Sequence, residues 1–170
     1  FVMAECAEYQ GRFLDDIING VMAICEESGW QLPAHNNYLD TGSLCLPDSE
    51  APIIDLFAAE TAELLAMTSY LLKDELDAVS PVVTKRIHAE IGRRILVPYL
   101  SEKFHWMGGW SGVINNWTPW ITQNVLISLM SREELTRHQQ HLILYQAAKS
   151  LDYFLDEYGE DGCCNEGAGY

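Results

Sequence analysis

The chain has 170 residues, 48% hydrophobic and 21% charged, the balance of an ordinary globular domain. With 25 acidic against 10 basic residues, its formal net charge of −15 argues against nucleic acid and anionic membrane surfaces as partners. No apolar run approaches the ~18 residues of a transmembrane helix, so no membrane span is expected.

The sequence opens at Phe1 without an initiator Met or a basic leader, and it reads as a piece trimmed from a longer protein. The five cysteines are Cys6, Cys25, Cys45, Cys163 and Cys164; their odd count and spacing fit no disulfide framework. The vicinal pair Cys163-Cys164 has no CxxC partner or nearby His to complete a zinc set, so neither a metal nor a cofactor is expected. Reduced thiols lean towards a cytoplasmic location, with the periplasm as the alternative.

Residues 2–27 carry Cys6, Phe13, Leu14, Ile17, Ile18, Val21, Met22 and Cys25 on one helical stripe, closed by Ser28-Gly29. Residues 30–50 read as a loop rich in Pro, Asn, Asp, Gly and Ser. Its His35-Asn36-Asn37 run is either a set of turn-forming residues or a cluster of neutral polar groups for a ligand. A second helix is expected over 51–74, with Pro52 in its first turn. Ile53, Leu56, Phe57, Leu64, Met67 and Leu71 are its expected buried face, Ala58, Ala59, Ala62 and Ala66 permit close helix approach, and Glu60 and Glu63 face solvent or a ligand. Ser80-Pro81 is a cap followed by an N1 proline, and it starts a third helix that Pro98 ends or kinks. Lys85, Arg86, Arg93 and Arg94 on this helix read as a solvated face paired with acidic neighbours.

The stretch 104–124, FHWMGGWSGVINNWTPWITQN, holds four of the five tryptophans: Trp106, Trp110, Trp117 and Trp120. Flat aromatic rings beside neutral amides suit a sugar-binding surface, and they equally suit a Trp-rich loop packed over a helical core. Thr118-Pro119 repeats the cap-and-proline signature and predicts a fourth helix to about Met130, with Val125, Leu126, Leu129 and Met130 as its apolar face. Asn115 and Asn116 then lie just before a helix N-terminus, where backbone N–H groups and the helix dipole favour an anion. Ser131 to Glu134 reads as a capping box opening a long helix to Tyr158, with Leu135, His138, Leu142, Tyr145, Ala148, Tyr153 and Leu155 in period. His138 and His141 lack an acidic third ligand and read as surface histidines. No strand pattern stands out, and the expected class is all-α, built as helix pairs joined by long loops.

NNWTPWITQNVL and DGCCNEGAGY, together with LPAHNNYL and DLFAAETAELL, resemble the helical domain of the heparinase II/III-type polysaccharide lyases. The resemblance runs from about Trp30 to Tyr170. It implies that residues 1–170 form helical hairpins of an incomplete (α/α) toroid, with later toroid helices and a β-sandwich domain in the rest of a larger protein. It also implies β-elimination at a uronic acid, in which neutral donors spread the charge of the sugar carboxylate and a tyrosine moves the C5 proton. On the family pattern Asn116 takes the carboxylate-facing position and Tyr170 the proton-transfer position, 54 residues on. Asn115 is the alternative neutraliser, and Trp117 stands where many members carry His. Trp117, Trp120, Trp110, His35, Asn36, His105 and Glu166 are the expected substrate contacts, and the implied catalysis needs no metal. A further catalytic His belongs to the later part of such a toroid and is not assigned here. The acidic balance favours a sparsely sulfated uronate polymer or oligosaccharide over a highly sulfated one. The alternatives are a glycoside hydrolase on a similar toroid, for which Glu60 and Glu166 are the only tempting carboxylate pair, and a non-catalytic carbohydrate-binding or structural helical domain.

Overall fold

A computed structural model describes residues 1–37, 45–109, 114–130, 132 and 135–162. Every regular element among them is helical, in agreement with the all-α expectation. None of these helices is long and apolar enough to cross a membrane.

The first predicted helix is two. Helix α1 (Val2–Glu8) stops at Tyr9, which turns left-handed at φ 53°, and Gly11 follows at φ 75°. The Glu5 carboxylate then accepts hydrogen bonds from the Gly11 and Phe13 backbone N–H groups, at 2.6 and 3.0 Å. That carboxylate satisfies donors that an unbroken helix would have satisfied itself, so the break is stable. Helix α2 (Leu14–Glu26) buries Ile17, Val21 and Cys25, whereas Cys6 is exposed and not on a buried stripe.

Helix α3 (Leu56–Leu71) begins at Asp55, whose carboxylate accepts from Ala58 N–H, and not at Pro52. Its buried face is Ala58, Ala59, Ala62, Leu65 and Ala66, while Phe57 (42%), Leu64 (52%) and Leu71 (40%) are exposed. Of the expected large residues Ile53 is buried and Leu56 and Met67 are half-buried, but Phe57, Leu64 and Leu71 are not inside, because α3 is apolar nearly all round and size does not mark the inside. Its alanines let α7 approach closely. After Leu72, helix α4 (Lys73–Val79) continues in a new direction.

Helix α5 (Pro81–Ile91) starts as expected, with the Ser80 hydroxyl accepting from Val82 N–H. It runs through a π turn (Gly92–Leu96) into α6 (Val97–Ser101), so Pro98 does not end the helix. A widened turn absorbs a proline that an α-helical turn would reject.

The basic cluster is paired with an acidic neighbour, as expected; Lys85 and Arg93 are exposed and Arg86 half-buried, but Arg94 does not belong to that solvated face. Arg94 is 5% exposed; its Nε donates to Glu90 Oε2 at 2.8 Å and its Nη2 to the carbonyls of Cys25 and Glu27. Its guanidinium lies 4.6 Å from the centre of the Trp30 ring, and the Trp30 indole N–H donates to the Ile24 carbonyl. Arg94 thus terminates α2 from a neighbouring helix, satisfying carbonyls that have no partner within α2.

Helix α7 (Trp117–Met130) turns Ile121, Thr122, Asn124, Val125, Ser128 and Leu129 inward and leaves Met130 exposed. Helix α8 (Arg137–Asp156) starts later than expected. Its capping box is Thr136 with Gln139, and Ser131 and Glu134 lie outside the described residues. Ile143, Ala147 and Ser150 form its buried face, one position from the expected register, and Leu142, Tyr145 and Leu155 are exposed. Helix α7 packs against both α3 and α8, α5 packs against α2 and α3, and the continuation of α5 reaches α7 and α8.

Candidate functional site

The site is built where two helices begin. Trp106, fully buried in the short turn His105–Met107, donates its indole N–H to the Ile54 carbonyl at 3.0 Å, just before α3. Its own carbonyl accepts the Thr118 hydroxyl at 2.6 Å, in the first turn of α7. Thr118 therefore ties the loop down and is not the helix cap. Further along, Trp120 of α7 donates its indole N–H to Glu60 of α3 at 2.9 Å, and beyond that Leu64 and Ile127 line one groove. Contacts rise together along both helices, so α3 and α7 run in the same direction with adjacent N-termini. The two helix N-termini lie side by side; the Asp55 carboxylate already occupies that of α3, and the start of α7 is the one that carries no anion among the described residues.

Around these helix starts, residues from four separate segments meet. Asp55, fully buried at the start of α3, accepts on one oxygen from Ala58 N–H at 2.8 Å. Its other oxygen accepts from Leu32 N–H at 2.9 Å and from His35 Nδ1–H at 2.6 Å. The His35 ring lies 4.9 Å from the Trp117 ring, and the His105 ring lies 5.4 Å from it, both tilted. Next to them, the Asn115 side-chain oxygen accepts from Trp117 N–H at 3.0 Å, and the Asn116 carbonyl accepts from Trp120 N–H at 3.2 Å. Asn116 is thus the residue immediately before α7. Asn36 is buried, and its amide oxygen accepts from Gln31 Nε2–H at 3.0 Å.

Burial, and secondarily the proximity of His35, holds the His105 imidazole below its ordinary protonation range. The unfolded chain therefore binds this proton more readily than the folded one. His105 contributes stability that is complete above the ordinary histidine range and is lost as pH falls below it. In a two-dimensional NMR titration, the His105 ring is expected to titrate on the acid side of a free imidazole. Titration at or above the ordinary range would contradict its burial.

The groove beside Trp120 has a volume of about 520 Å³ and is lined by Phe57, Glu60, Thr61, Leu64, Gln123 and Asn124, among others. Trp120 is 40% exposed and pinned at its N–H, so it offers a fixed aromatic face. Of the expected site residues, His35, His105, Asn115, Asn116 and Trp117 come together at the helix starts. Asn36, next in sequence to His35, is buried and bonded to Gln31, and Trp120 lies one turn along α7. Trp110, Glu166 and Tyr170, with Cys163 and Cys164, lie outside the described residues. Asp55 was missed by sequence reasoning, although an Asp directly before an apolar helical run is a legible N-cap. Among the described residues, no group of three or more His, Cys, Asp or Glu is arranged to hold a metal ion.

No protein-family model matches the chain. No curated protein matches it either.

Proposed function

We propose that this chain is a polysaccharide lyase-like helical domain, part of an (α/α) toroid of the heparinase II/III type, that cleaves uronic-acid-containing glycans by β-elimination. The observation that carries the reading is the meeting of His35, His105 and Asn115 around Trp117 at the start of α7, directly after Asn116. A C5 proton beside an ionised carboxylate is very weakly acidic. Neutral donors and helix N-termini at that carboxylate stabilise the enolate-like intermediate as an oxyanion hole does. Asn116 supplies the amide, Trp117 and Trp120 supply faces for the sugar ring, and Tyr170 moves the proton. As C5 loses its proton, the C4–O4 bond breaks, a C4–C5 double bond forms, and the departing O4 takes up a proton.

The parallel pairing of α3 and α7 supports the toroid reading, because alternate helices of stacked helical hairpins run the same way. The exposed, pinned Trp120 is the specific observation that favours a non-catalytic carbohydrate-binding domain as the second reading.

Absorbance of the unsaturated product, followed on sparsely sulfated uronate polymers with the full-length protein, tests the proposal. Product is expected, and Asn116→Ala is expected to lower its rate about 10²-fold. No product on any uronate polymer would overturn the lyase reading in favour of glycan binding. Turnover retained in Tyr170→Phe would remove Tyr170 from the proton transfer.

A further inference from the structure

Helices α3 and α7 leave a line of apolar side chains facing out. On α3 the exposed residues Phe57, Leu64 and Leu71 recur every seven positions, so they lie along one edge of the helix. On α7 the exposed Trp120 and the half-buried Ile127 repeat the same seven-residue step. Phe57, Leu64 and Ile127 line the groove between the two edges. Aligned apolar side chains of this size at the surface of a monomer mark a place where something else binds. Asn124 lines the same groove while only 5% exposed, and its side-chain amide N–H finds no acceptor among the described residues. The chain alone thus leaves a buried donor for an incoming group to satisfy.

Charge and geometry select the occupant. Neither 51–72 nor 104–131 contains a lysine or arginine. Among the residues lining the groove the charged ones are Glu60 and Glu63, both on the α3 wall. Glu60 is engaged by the Trp120 indole N–H, so Glu63 is the carboxylate that an incoming cation meets. A second copy of this chain is a poor fit. A two-fold contact through this face sets two acidic walls without cations against each other, between chains of formal charge −15. A strand is excluded as well, because the mid-span backbone groups of both helices are satisfied internally and leave nothing to pair with. What fits a groove between parallel helices, lined at seven-residue spacing, is a third helix with an apolar seam of its own.

We propose that the groove between α3 and α7 docks an amphipathic helix of a partner protein, apolar along one seam and carrying lysine or arginine on the flank that meets α3. The flank that meets α7 is uncharged, since no charged residue occurs between Trp117 and Met130. A partner helix of roughly four turns, about 21 Å, spans the distance from Phe57 to Leu71. The inference does not depend on the lyase reading. Trp120, pinned to Glu60, stands between this groove and the helix starts around Trp117.

The test is fluorescence anisotropy with labelled helical peptides of about 18 residues. The first peptide has leucine at its a and d positions and lysine along one flank. The second has the same composition, shuffled so that no seam forms, and it controls for plain attraction to a chain of charge −15. The third carries glutamate in place of lysine. The first is expected to bind with a Kd of roughly 10–100 μM, at least about tenfold more tightly than the other two. Leu64→Glu is expected to weaken its binding about tenfold, and Glu63→Lys to turn the preference towards the glutamate peptide. Leu64 is exposed and Glu63 half-buried, so both variants should fold, and their melting temperatures check this. Equal binding of the first and shuffled peptides, unweakened binding in Leu64→Glu, or an unchanged charge preference in Glu63→Lys would each overturn the proposal. No binding of any peptide would do the same. A dimer seen by sedimentation of the protein alone, and dissociated by Leu64→Glu, would overturn it in favour of a second copy.

Discussion

Replacing Arg94 by Met is expected to destabilise the protein by about 3–5 kcal/mol, measured by urea denaturation at neutral pH. Met retains a flexible apolar stem beside Trp30, so the loss reports the guanidinium and not the packing volume. Three interactions go at once: the bond to Glu90 and the bonds to the Cys25 and Glu27 carbonyls at the end of α2. Arg93 and Arg86 also reach Glu90, at 2.8 and 3.1 Å, which keeps that carboxylate from being stranded and favours the lower end of the range. Glu90→Gln combined with Arg94→Met should recover part of the loss, because the pair then leaves together.

The pH dependence follows from Glu90. Burial pushes its carboxyl up, but the hydrogen bonds from Arg94 and Arg93 outweigh that and hold it below the usual glutamate range. A depressed folded value means the unfolded chain binds the proton first. The stabilisation is complete above the ordinary glutamate range and is lost as pH falls through the lowered value. In Arg94→Met the stability curve should therefore be flatter on its acid side than in the parent. An acid limb of unchanged slope would show that Arg94 is not what holds Glu90 ionised.

Trp106→Ala is the second large effect, expected to cost about 3–5 kcal/mol as a fully buried aromatic is removed. Trp106 is stacked 5.6 Å from Phe104 and 6.1 Å from Tyr99, so collapse around the void is limited by two other large rings. Trp106→Phe keeps most of the ring but loses the N–H, leaving the Ile54 carbonyl without that donor at a cost of about 1–3 kcal/mol. The difference between the two substitutions separates packing from tethering. Both should also disturb the site, because Trp106 is what ties the start of α3 to the start of α7. A Trp106→Phe protein with an unaltered His105 resonance would show that the two helix starts are held together without this bridge.

Much of the scaffold is legible in the sequence where local chemistry decides it. Ser80-Pro81 marks the start of α5, and Thr118-Pro119 marks the start of α7 to within two residues. What misled was the choice of face. Along α3 the large side chains Phe57, Leu64 and Leu71 suggest the core, yet the alanines are inside, because close approach of α7 requires small residues there. The same applies to α8, where Ile143, Ala147 and Ser150 face the bundle. Thr118 looked like a cap, but its hydroxyl is taken by a carbonyl 12 residues away in sequence, and no local pattern announces such a partner. The site was read as separate candidates: an asparagine pair, a tryptophan, two histidines. Their meeting depends on Asp55, which lies 20 residues from His35, and on α3 and α7 lying parallel.

Gly108 and Gly109 carry a consequence for how related chains can diverge. Both hold positive φ, at 76° and 80°, and Tyr153 of α8 presses on them so closely that a Cβ would sit 2.9 Å from it at Gly108 and 2.7 Å at Gly109. A side chain at either position is doubly excluded, by backbone strain and by the tyrosine ring. Positions 108, 109 and 153 therefore cannot drift independently. A homologue that loses Gly109 must move or give up the ring, and with it the seat of α8 against the turn that carries His105; one that loses Gly108 must also shift Ile114, whose Cδ1 would lie 2.5 Å from the new Cβ.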